Sequence, residues 1–187
     1  QKEDSTSLSG NRVWALTADK AGYIWAGTWE NGTNRIDPKT GFIKRFQYNP
    51  NNPNSLANDE IRCLYTDQQG VLWIGTNRGL GKYDTQKKQF EHFLNDPQNR
   101  ASLSDNLVWS ILEDREGVLW VGTDTGLNRF DKVSKSFERF YEKDGLPNNT
   151  IYGILEDDSG TLWISTENGL ARRLPEGANP AFFPLGL

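Results

Sequence analysis

The stretch LWIGT, Leu72–Thr76, occurs three more times along the chain in closely similar form. The other copies are IWAGT from residue 24, LWVGT from residue 119 and LWIST from residue 162. Each copy begins two residues after a glycine that closes a short polar turn opened by an aspartate, and these glycines are Gly22, Gly70, Gly117 and Gly160. The tryptophans of the four copies, spaced 48, 47 and 43 residues apart, are Trp25, Trp73, Trp120 and Trp163. Because a catalytic motif would occur once, the recurrence predicts a structural repeat.

The length and pattern of the repeat predict an all-β fold. Repeats of about 40 to 50 residues, with short apolar runs separated by Gly and Asn turns, are typical of β-propellers. No run of ten or more residues has apolar positions at helical spacing, whereas alternation over four to six residues is common. The second repeat has runs that predict one four-stranded antiparallel blade, at residues 61–66, 71–76, 80–84 and 90–94. The sequence therefore predicts one propeller-type domain over residues 1–187, with four such blades at about 11–48, 59–95, 106–142 and 149–187.

Two recurring positions are predicted to be structural. The tryptophan of each second strand is expected to pack between neighbouring blades, because its large apolar surface needs burial. One position of each inner strand is always small, which predicts close approach of the backbone there: Ala15, Cys63, Ser110 and Gly153.

Composition excludes several classes of function. The formal net charge is −4 and the sequence pI is about 5.1, so no basic stripe supports nucleic-acid binding. No apolar run approaches the length of a membrane span, so membrane attachment is expected only through segments outside this sequence. With one cysteine and one histidine, the chain cannot assemble a His or Cys zinc cluster, and no metal or cofactor is expected.

The repeat pattern D-x-x-G-x-L-W-I-G-T-x-x-G-L-x-R-F-D, followed by F-x-x-F, resembles the two-component regulator propeller repeat. The second and third repeats match this pattern through nearly their whole length, and the fourth lacks the closing Asp. Proteins of this family are large bacterial membrane sensors, with periplasmic propellers, a sandwich domain, a membrane span and a cytoplasmic kinase or cyclase. Members with known roles commonly sense carbohydrates. The resemblance implies a periplasmic or otherwise extracytoplasmic sensing module without catalysis.

The number of blades raises the question of how the array ends, because family rings usually contain about seven. An open blade face would leave apolar surface in water. Three solutions exist: a compact four-blade ring, an eight-blade ring from two chains, or a longer receptor of which this is a piece. The chain starts at Gln1 without Met or an apolar leader, as a processed product or an excerpt would. We expect a piece of a longer receptor that self-associates through its open ends.

Candidate ligand-binding residues lie in two places on the predicted blades. The second residue of each inner strand is large: Trp14, Arg62, Trp109 and Tyr152. The loops between second and third strands vary against a uniform scaffold, as a binding surface would, and include Trp29, Asn31, Asn77, Arg78 and Asp124. We select all of these residues except Asn77 as candidate ligand contacts. Aromatic planes beside polar side chains suit sugar rings, which predicts an oligosaccharide ligand. The neighbouring Asn11, Asp59, Asn106 and Asn149 are expected to cap the turns into the inner strands.

Two other functions are compatible with a propeller. A polysaccharide-active lyase or hydrolase would need an acid and a base in one pocket, and the Asp-x-x-Gly turns resemble those of sialidases. A basic residue recurs in every third strand, which indicates a structural role: Arg35, Lys82, Arg129 and Arg172. A purely structural assembly propeller would bind no small ligand.

Overall fold

A computed structural model describes residues 7–175 and 182–185 of the chain. In this part of the chain, strands account for all regular structure except a short 3-10 helix at Glu142–Asp144. The strands are β1 (Val13–Ala18), β2 (Ile24–Thr28), β3 (Thr33–Ile36), β4 (Ile43–Phe46), β5 (Ile61–Thr66), β6 (Leu72–Thr76), β7 (Gly79–Asp84), β8 (Gln89–Phe93), β9 (Val108–Glu113), β10 (Leu119–Thr123), β11 (Gly126–Asp131), β12 (Ser136–Phe140), β13 (Ile151–Glu156), β14 (Leu162–Thr166), β15 (Gly169–Arg173) and β16 (Phe182–Leu185). The predicted all-β class is confirmed.

Consecutive strands pair antiparallel into four sheets of four strands each: β1 to β4, β5 to β8, β9 to β12 and β13 to β16. We number these blades one to four. The residues form two compact units, Gln1–Phe93 with blades one and two and Leu94–Leu187 with blades three and four. The predicted fold of four four-stranded antiparallel blades is confirmed, whereas a single domain over residues 1–187 stays a prediction.

In each repeat, a hydrogen bond between the turn aspartate and the tryptophan six residues later closes the hairpin. In blade three, Asp114 Oδ2 accepts a hydrogen bond from Trp120 Nε1 at 2.7 Å, and Asp114 Oδ1 accepts one from the backbone N–H of Val118 at 2.8 Å. The same bond joins Asp19 to Trp25, Asp67 to Trp73 and Asp157 to Trp163, at 2.9, 2.9 and 2.7 Å. Each aspartate thus fixes both the turn and the tryptophan, which explains why the three residue types recur together.

The tryptophans of blades one and three are buried against the blade that follows in the same unit. Trp25 packs with Ile61, Leu72 and other residues of blade two. In the second unit, Trp120 packs with the apolar residues of blade four, including Ile151. Burial of aromatic rings of this size supplies much of the core energy of a small β-domain.

The small residues of the first strands lie where the next blade approaches. Ala15, Cys63, Ser110 and Gly153 pair with Gly27, Gly75, Gly122 and Ser165 of the second strands. A Cβ at Gly27 would lie 2.4 Å from Cγ2 of Ile61, and one at Gly122 would lie 2.7 Å from Cγ2 of Ile151. The side chain of the first residue of the following blade, Ile61 or Ile151, therefore fits only because the paired residues are small. Burial raises the pKa of the Cys63 thiol to about 12, as expected for an unreactive thiol.

The basic residue of each third strand pairs with the repeat's tryptophan across the sheet. The guanidinium carbon of Arg35 lies 5.9 Å from the ring centre of Trp25, and Nζ of Lys82 lies 5.6 Å from that of Trp73. These contacts give the recurring cation the structural role that its repetition predicts.

The last blade is completed by β16, which pairs with β15. The Phe182 side chain is buried, and its ring centre lies 5.3 Å from that of Phe140. Residues 176–181, which lead into this strand, lie outside the described residues.

Candidate functional site

A β-bulge interrupts the first strand of every blade at its second residue. The pairing with the second strand skips from Val13 to Ala15 in blade one, and equivalent shifts occur in the other three blades. The skipped residues are the four large ones predicted to contact ligand: Trp14, Arg62, Trp109 and Tyr152. Because a bulge redirects a side chain away from the normal alternation, it explains how these residues leave the packed blade faces.

In three of the blades, the loop between the second and third strands is hydrogen-bonded to the residue that precedes the first strand. The backbone N–H groups of Trp29, Asp124 and Glu167 donate to the carbonyl oxygens of Arg12, Leu107 and Thr150, at 3.0, 3.0 and 3.2 Å. These bonds hold each loop beside the bulge of its own blade. In blades one and three, the predicted loop residues Trp29 and Asp124 therefore lie beside the bulge residues Trp14 and Trp109.

In the first unit, the bulges and loops form an aromatic and cationic cluster that joins blades one and two. The ring centres of Trp14 and Trp29 lie 4.1 Å apart. The guanidinium carbon of Arg62 lies 4.0 Å from the ring centre of Trp29 and 5.5 Å from that of Trp14. Trp14 is 54% exposed. We call Trp14, Trp29, Arg62 and Asn77 the first cluster.

Polar contacts orient Arg62 within the first cluster. Its Nε donates to Oδ1 of Asn77 at 2.6 Å, and the Asn77 amide in turn donates to the Glu60 carboxylate. Partial burial lowers the pKa of Arg62, and the negative charge of Glu60 acts in the opposite direction. The guanidinium plane is thereby fixed on the indole rather than extended into solvent.

In the second unit, Trp109 and Tyr152 form a matching pair across blades three and four. Their ring centres lie 5.5 Å apart, with an interplanar angle of 78°. Nε1 of Trp109 donates to Oδ1 of Asp124 at 3.2 Å, and the Asp124 carbonyl accepts a hydrogen bond from the Thr150 hydroxyl at 3.0 Å. Tyr152 is 47% exposed. We call Trp109, Asp124 and Tyr152 the second cluster.

Two predicted ligand residues have no described contact with either cluster. The Asn31 backbone N–H donates to the Thr28 hydroxyl at 3.1 Å, and its side chain lies against Gly10. Arg78 is exposed, and its backbone N–H donates to the Thr76 hydroxyl at 3.0 Å. Sequence reasoning missed Glu60, and it left Asn77 unselected. Glu60 precedes β5 and Asn77 follows β6, and the structure shows that Asn77 bonds both Arg62 and Glu60.

The predicted turn-capping role belongs to the residue one position earlier than expected. Asn58, Asp105 and Asn148 accept hydrogen bonds from the backbone two residues on. The predicted residues Asp59, Asn106 and Asn149 instead accept backbone N–H bonds from the end of the preceding outer strand, at 2.7, 2.8 and 2.9 Å. Burial raises the pKa of Asp59, although the hydrogen bond from the Tyr48 N–H acts to lower it. These residues close the connecting loops, so they are structural.

Among the residues that the structure describes, no group of three or more His, Cys, Asp and Glu side chains could hold a metal ion. Within the same residues, no helix is both long and apolar enough to cross a membrane.

A profile of the two component regulator propeller matches four segments, at residues 7–30, 55–78, 102–125 and 145–168. These segments contain the turn, the second strand and the bulge of every blade, and together they cover just over half of the chain. The chain therefore belongs to the two component regulator propeller family.

Several solved structures are similar to this chain. The extracellular domain of BT3049 from B. thetaiotaomicron, described as a hybrid two component system, is 27% identical with a TM-score of 0.84, and the match covers 96% of this chain and 25% of that one. The extracellular domain of BT4673 from the same organism, described as a one component system, is 24% identical with a TM-score of 0.79, over 96% of this chain and 26% of that one. The chain thus spans about a quarter of the length of these domains.

A virginiamycin B lyase from Staphylococcus aureus is 18% identical with a TM-score of 0.69, over 98% of this chain and 59% of that one. At this identity the likeness concerns the fold alone. A comparison with curated protein sequences found no significant match.

Proposed function

We propose that this chain is a non-catalytic, extracytoplasmic sensing module of a bacterial signal-transduction receptor, and that the first cluster and the second cluster are each a binding site for an oligosaccharide. The observation that carries the proposal is the bulge, which takes a large residue out of the strand pairing in all four blades. Bulges are over-represented next to active sites, where they redirect a side chain.

The chemistry of the two clusters suits a sugar. A pyranose ring offers an apolar face of C–H groups and an edge of hydroxyl groups. Trp14 and Tyr152 present partly exposed aromatic faces, while Arg62, Asn77 and Asp124 supply donors and acceptors beside them. Aromatic surface with a few placed polar groups is the usual composition of a small-ligand site.

The family and the sensor domains similar to this chain support a role in signalling. In such a receptor, ligand binding would act by favouring one arrangement of two receptor chains over another. A periplasmic location follows from the same proposal, because the sensor structures similar to this chain are extracellular domains.

Binding should be measured by titration calorimetry with oligosaccharides selected on a glycan array. Replacing Tyr152→Ala or Trp109→Ala should weaken binding about tenfold, because each ring removed loses roughly 0.5–1.5 kcal/mol of stacking beyond its buried area. Tyr48→Ala is a matched control, since Tyr48 is a similarly exposed tyrosine, at 42%, with no described contact to either cluster. It should bind like the parent.

Each alternative function has its own outcome in this experiment. Turnover of a bound polysaccharide by the parent chain would establish a lyase or hydrolase and overturn the non-catalytic role. Failure of every oligosaccharide to bind would instead favour a structural propeller.

A further inference from the structure

Two acidic residues border the second cluster, and Thr150 contacts both. The Thr150 hydroxyl donates to the carbonyl oxygen of Asp124 at 3.0 Å, and the Thr150 carbonyl oxygen accepts a hydrogen bond from the backbone N–H of Glu167 at 3.2 Å. The loops after the second strands of blades three and four are therefore tied to one residue. This residue directly precedes the strand that carries Tyr152.

The Asp124 carboxylate is held in place with one oxygen available to a ligand. Its Oδ1 accepts a hydrogen bond from the Trp109 indole N–H at 3.2 Å. Among the residues that the structure describes, none forms a hydrogen bond or an ion pair with Oδ2. Because the loop is also fixed through the Asp124 backbone, this carboxylate loses little freedom when it binds a donor.

The two rings of the second cluster stand nearly at right angles. The ring centres of Trp109 and Tyr152 lie 5.5 Å apart, their planes meet at 78°, and Tyr152 is 47% exposed. The faces of Trp and Tyr rings attract a cation within about 6 Å of the ring centre, and grouped aromatic rings are used to bind ammonium ligands. Since Asp124 contacts Trp109 directly, aromatic faces and a carboxylate occur together in this cluster.

The charges around the two clusters differ. The segments that form the second cluster contain no lysine or arginine: 104–109, 123–127, 146–152 and 166–170. Three positions that hold arginine in the first unit are uncharged in the second, where Arg12, Arg62 and Arg78 are replaced by Leu107, Tyr152 and Asn168. Two positions that are uncharged in the first unit are acidic in the second, where Trp29 and Asn77 are replaced by Asp124 and Glu167. The loops of the second cluster therefore favour a positively charged ligand.

We propose that the second cluster, together with Glu167, selects an amino sugar. Its ammonium group lies against Trp109 and Tyr152 and pairs with the carboxylates of Asp124 and Glu167. This inference rests on the proposed oligosaccharide function and narrows the ligand class at this one cluster. A neutral sugar offers only hydroxyl donors to the same carboxylates, and an acidic sugar is repelled by them.

Titration calorimetry of the complete 187-residue chain with three matched tetrasaccharides tests the selection. The first is cellotetraose, and the other two carry an acetamido group or an amino group in place of each C2 hydroxyl. The backbone of the three is the same, so only the charge and the substituent differ. The amino tetrasaccharide should bind at least about fivefold more tightly than the other two, the equivalent of one exposed cation–π contact with a charge pair. Salt at about 0.5 M should reduce this preference, because it screens exposed charges.

Charge-neutral variants locate the preference. Asp124→Asn keeps an oxygen that can accept the Trp109 N–H, and Glu167→Gln changes an exposed side chain. Each should reduce the preference for the amino tetrasaccharide to less than about twofold, with circular dichroism and thermal melting confirming that each variant folds. Glu116→Gln, on the exposed turn at the other end of β9, removes the same charge and should bind like the parent.

The outcomes separate this inference from the proposed function. If the three tetrasaccharides bind equally, or only another oligosaccharide binds, the inference is overturned and the sensing function stands. An amine preference that persists unchanged in both Asp124→Asn and Glu167→Gln also overturns it, because the selection then lies outside the second cluster. Failure of every oligosaccharide to bind overturns the proposed function together with the inference.

Discussion

The guanidinium of Arg62 lies 4.0 Å from the ring centre of Trp29. Arg62 is the bulge residue of blade two, and Trp29 belongs to the loop after the second strand of blade one. In the second unit, the bulge residue of blade four, Tyr152, instead contacts the bulge residue of blade three, Trp109. Each cluster is therefore made by two blades, and its composition depends on which repeats are neighbours.

Arg62 should contribute to binding through its plane as well as through its charge. Arg62→Lys keeps the charge but loses the stacking on Trp29 and the bond from Nε to Asn77. We expect oligosaccharide affinity to fall about fivefold, the equivalent of about 1 kcal/mol, in titration calorimetry. The matched control is Arg78→Lys, since Arg78 is exposed and has no described contact with the cluster. Unchanged affinity in Arg62→Lys would mean that the charge alone matters, and an equal loss in both variants would mean that the stacking of Arg62 on Trp29 has no special part in binding.

The Asp114 carboxylate should be a major stabilising group of blade three. Asp114→Ala removes the acceptor of the Trp120 indole N–H and of two backbone N–H groups. Leaving buried donors without partners should lower the free energy of unfolding by about 1–3 kcal/mol, measured by urea denaturation. Glu116→Ala, in the same turn but exposed, should change it by no more than about 0.5 kcal/mol. Equal effects of the two substitutions would contradict this account of the turn.

Acid should destabilise the fourth repeat's turn over a defined pH range. Hydrogen bonds from the Ser159 hydroxyl and the Trp163 indole lower the pKa of Asp157 from 3.8 to about 2. Since the folded-state pKa is the lower one, this stabilisation is complete above about pH 4 and is lost as the pH falls towards 2. Ser159→Ala should raise the Asp157 pKa and shrink the loss of stability between these pH values, as followed by thermal melting. An unchanged pH dependence would show that the hydroxyl has no part in it.

Asn128 and Ser104 should be energetically coupled. Asn128 Oδ1 accepts the Ser104 backbone N–H at 2.9 Å, and Asn128 Nδ2 donates to the Ser104 hydroxyl at 2.8 Å. A double-mutant cycle of Asn128→Ala and Ser104→Ala should give a coupling of at least about 0.5 kcal/mol in urea denaturation. The matched cycle of Asn128→Ala with Ser134→Ala, on an exposed turn, should be additive. Additivity in both cycles would show that Asn128 and Ser104 are not coupled.

The same pair explains a feature of the repeats. Blade one has Asn34 bonded to Ser9 in the same manner, at 2.8 Å. Blade two has Gly81 and Ala57 at these two positions, so both polar groups are absent together. Where the amide is missing, its partner in the connecting loop is apolar, which avoids a buried unpaired hydroxyl.

The fold was predictable because the repeat encodes local bonds. An aspartate six residues before a tryptophan closes a hairpin whatever its surroundings, and four equivalent hairpins define the blades. The bulge residues were predictable as a set because their large size recurs at one position. These parts of the structure depend on residues close together in the sequence.

The remaining features depend on contacts between residues far apart in the sequence. Glu60 and Asn77 lie 17 positions apart, and the alternation of apolar residues does not show that their side chains meet. Asp59 accepts a hydrogen bond from the backbone N–H of Tyr48, 11 positions earlier, while its neighbour Asn58 caps the turn. Sequence reasoning did not include this contact with Tyr48 and therefore assigned the capping role to Asp59.

The seven tryptophans allow a direct test of the binding site. Indole Nε1 chemical shifts, followed by NMR during titration with an oligosaccharide selected on the array, report on each ring separately. Trp14, Trp29 and Trp109 should shift, because they lie in the clusters. The four tryptophans bonded to the turn aspartates should not shift, because they lie in the blade hairpins. A saturable shift confined to those four, with the three cluster indoles unchanged, would contradict the proposed site.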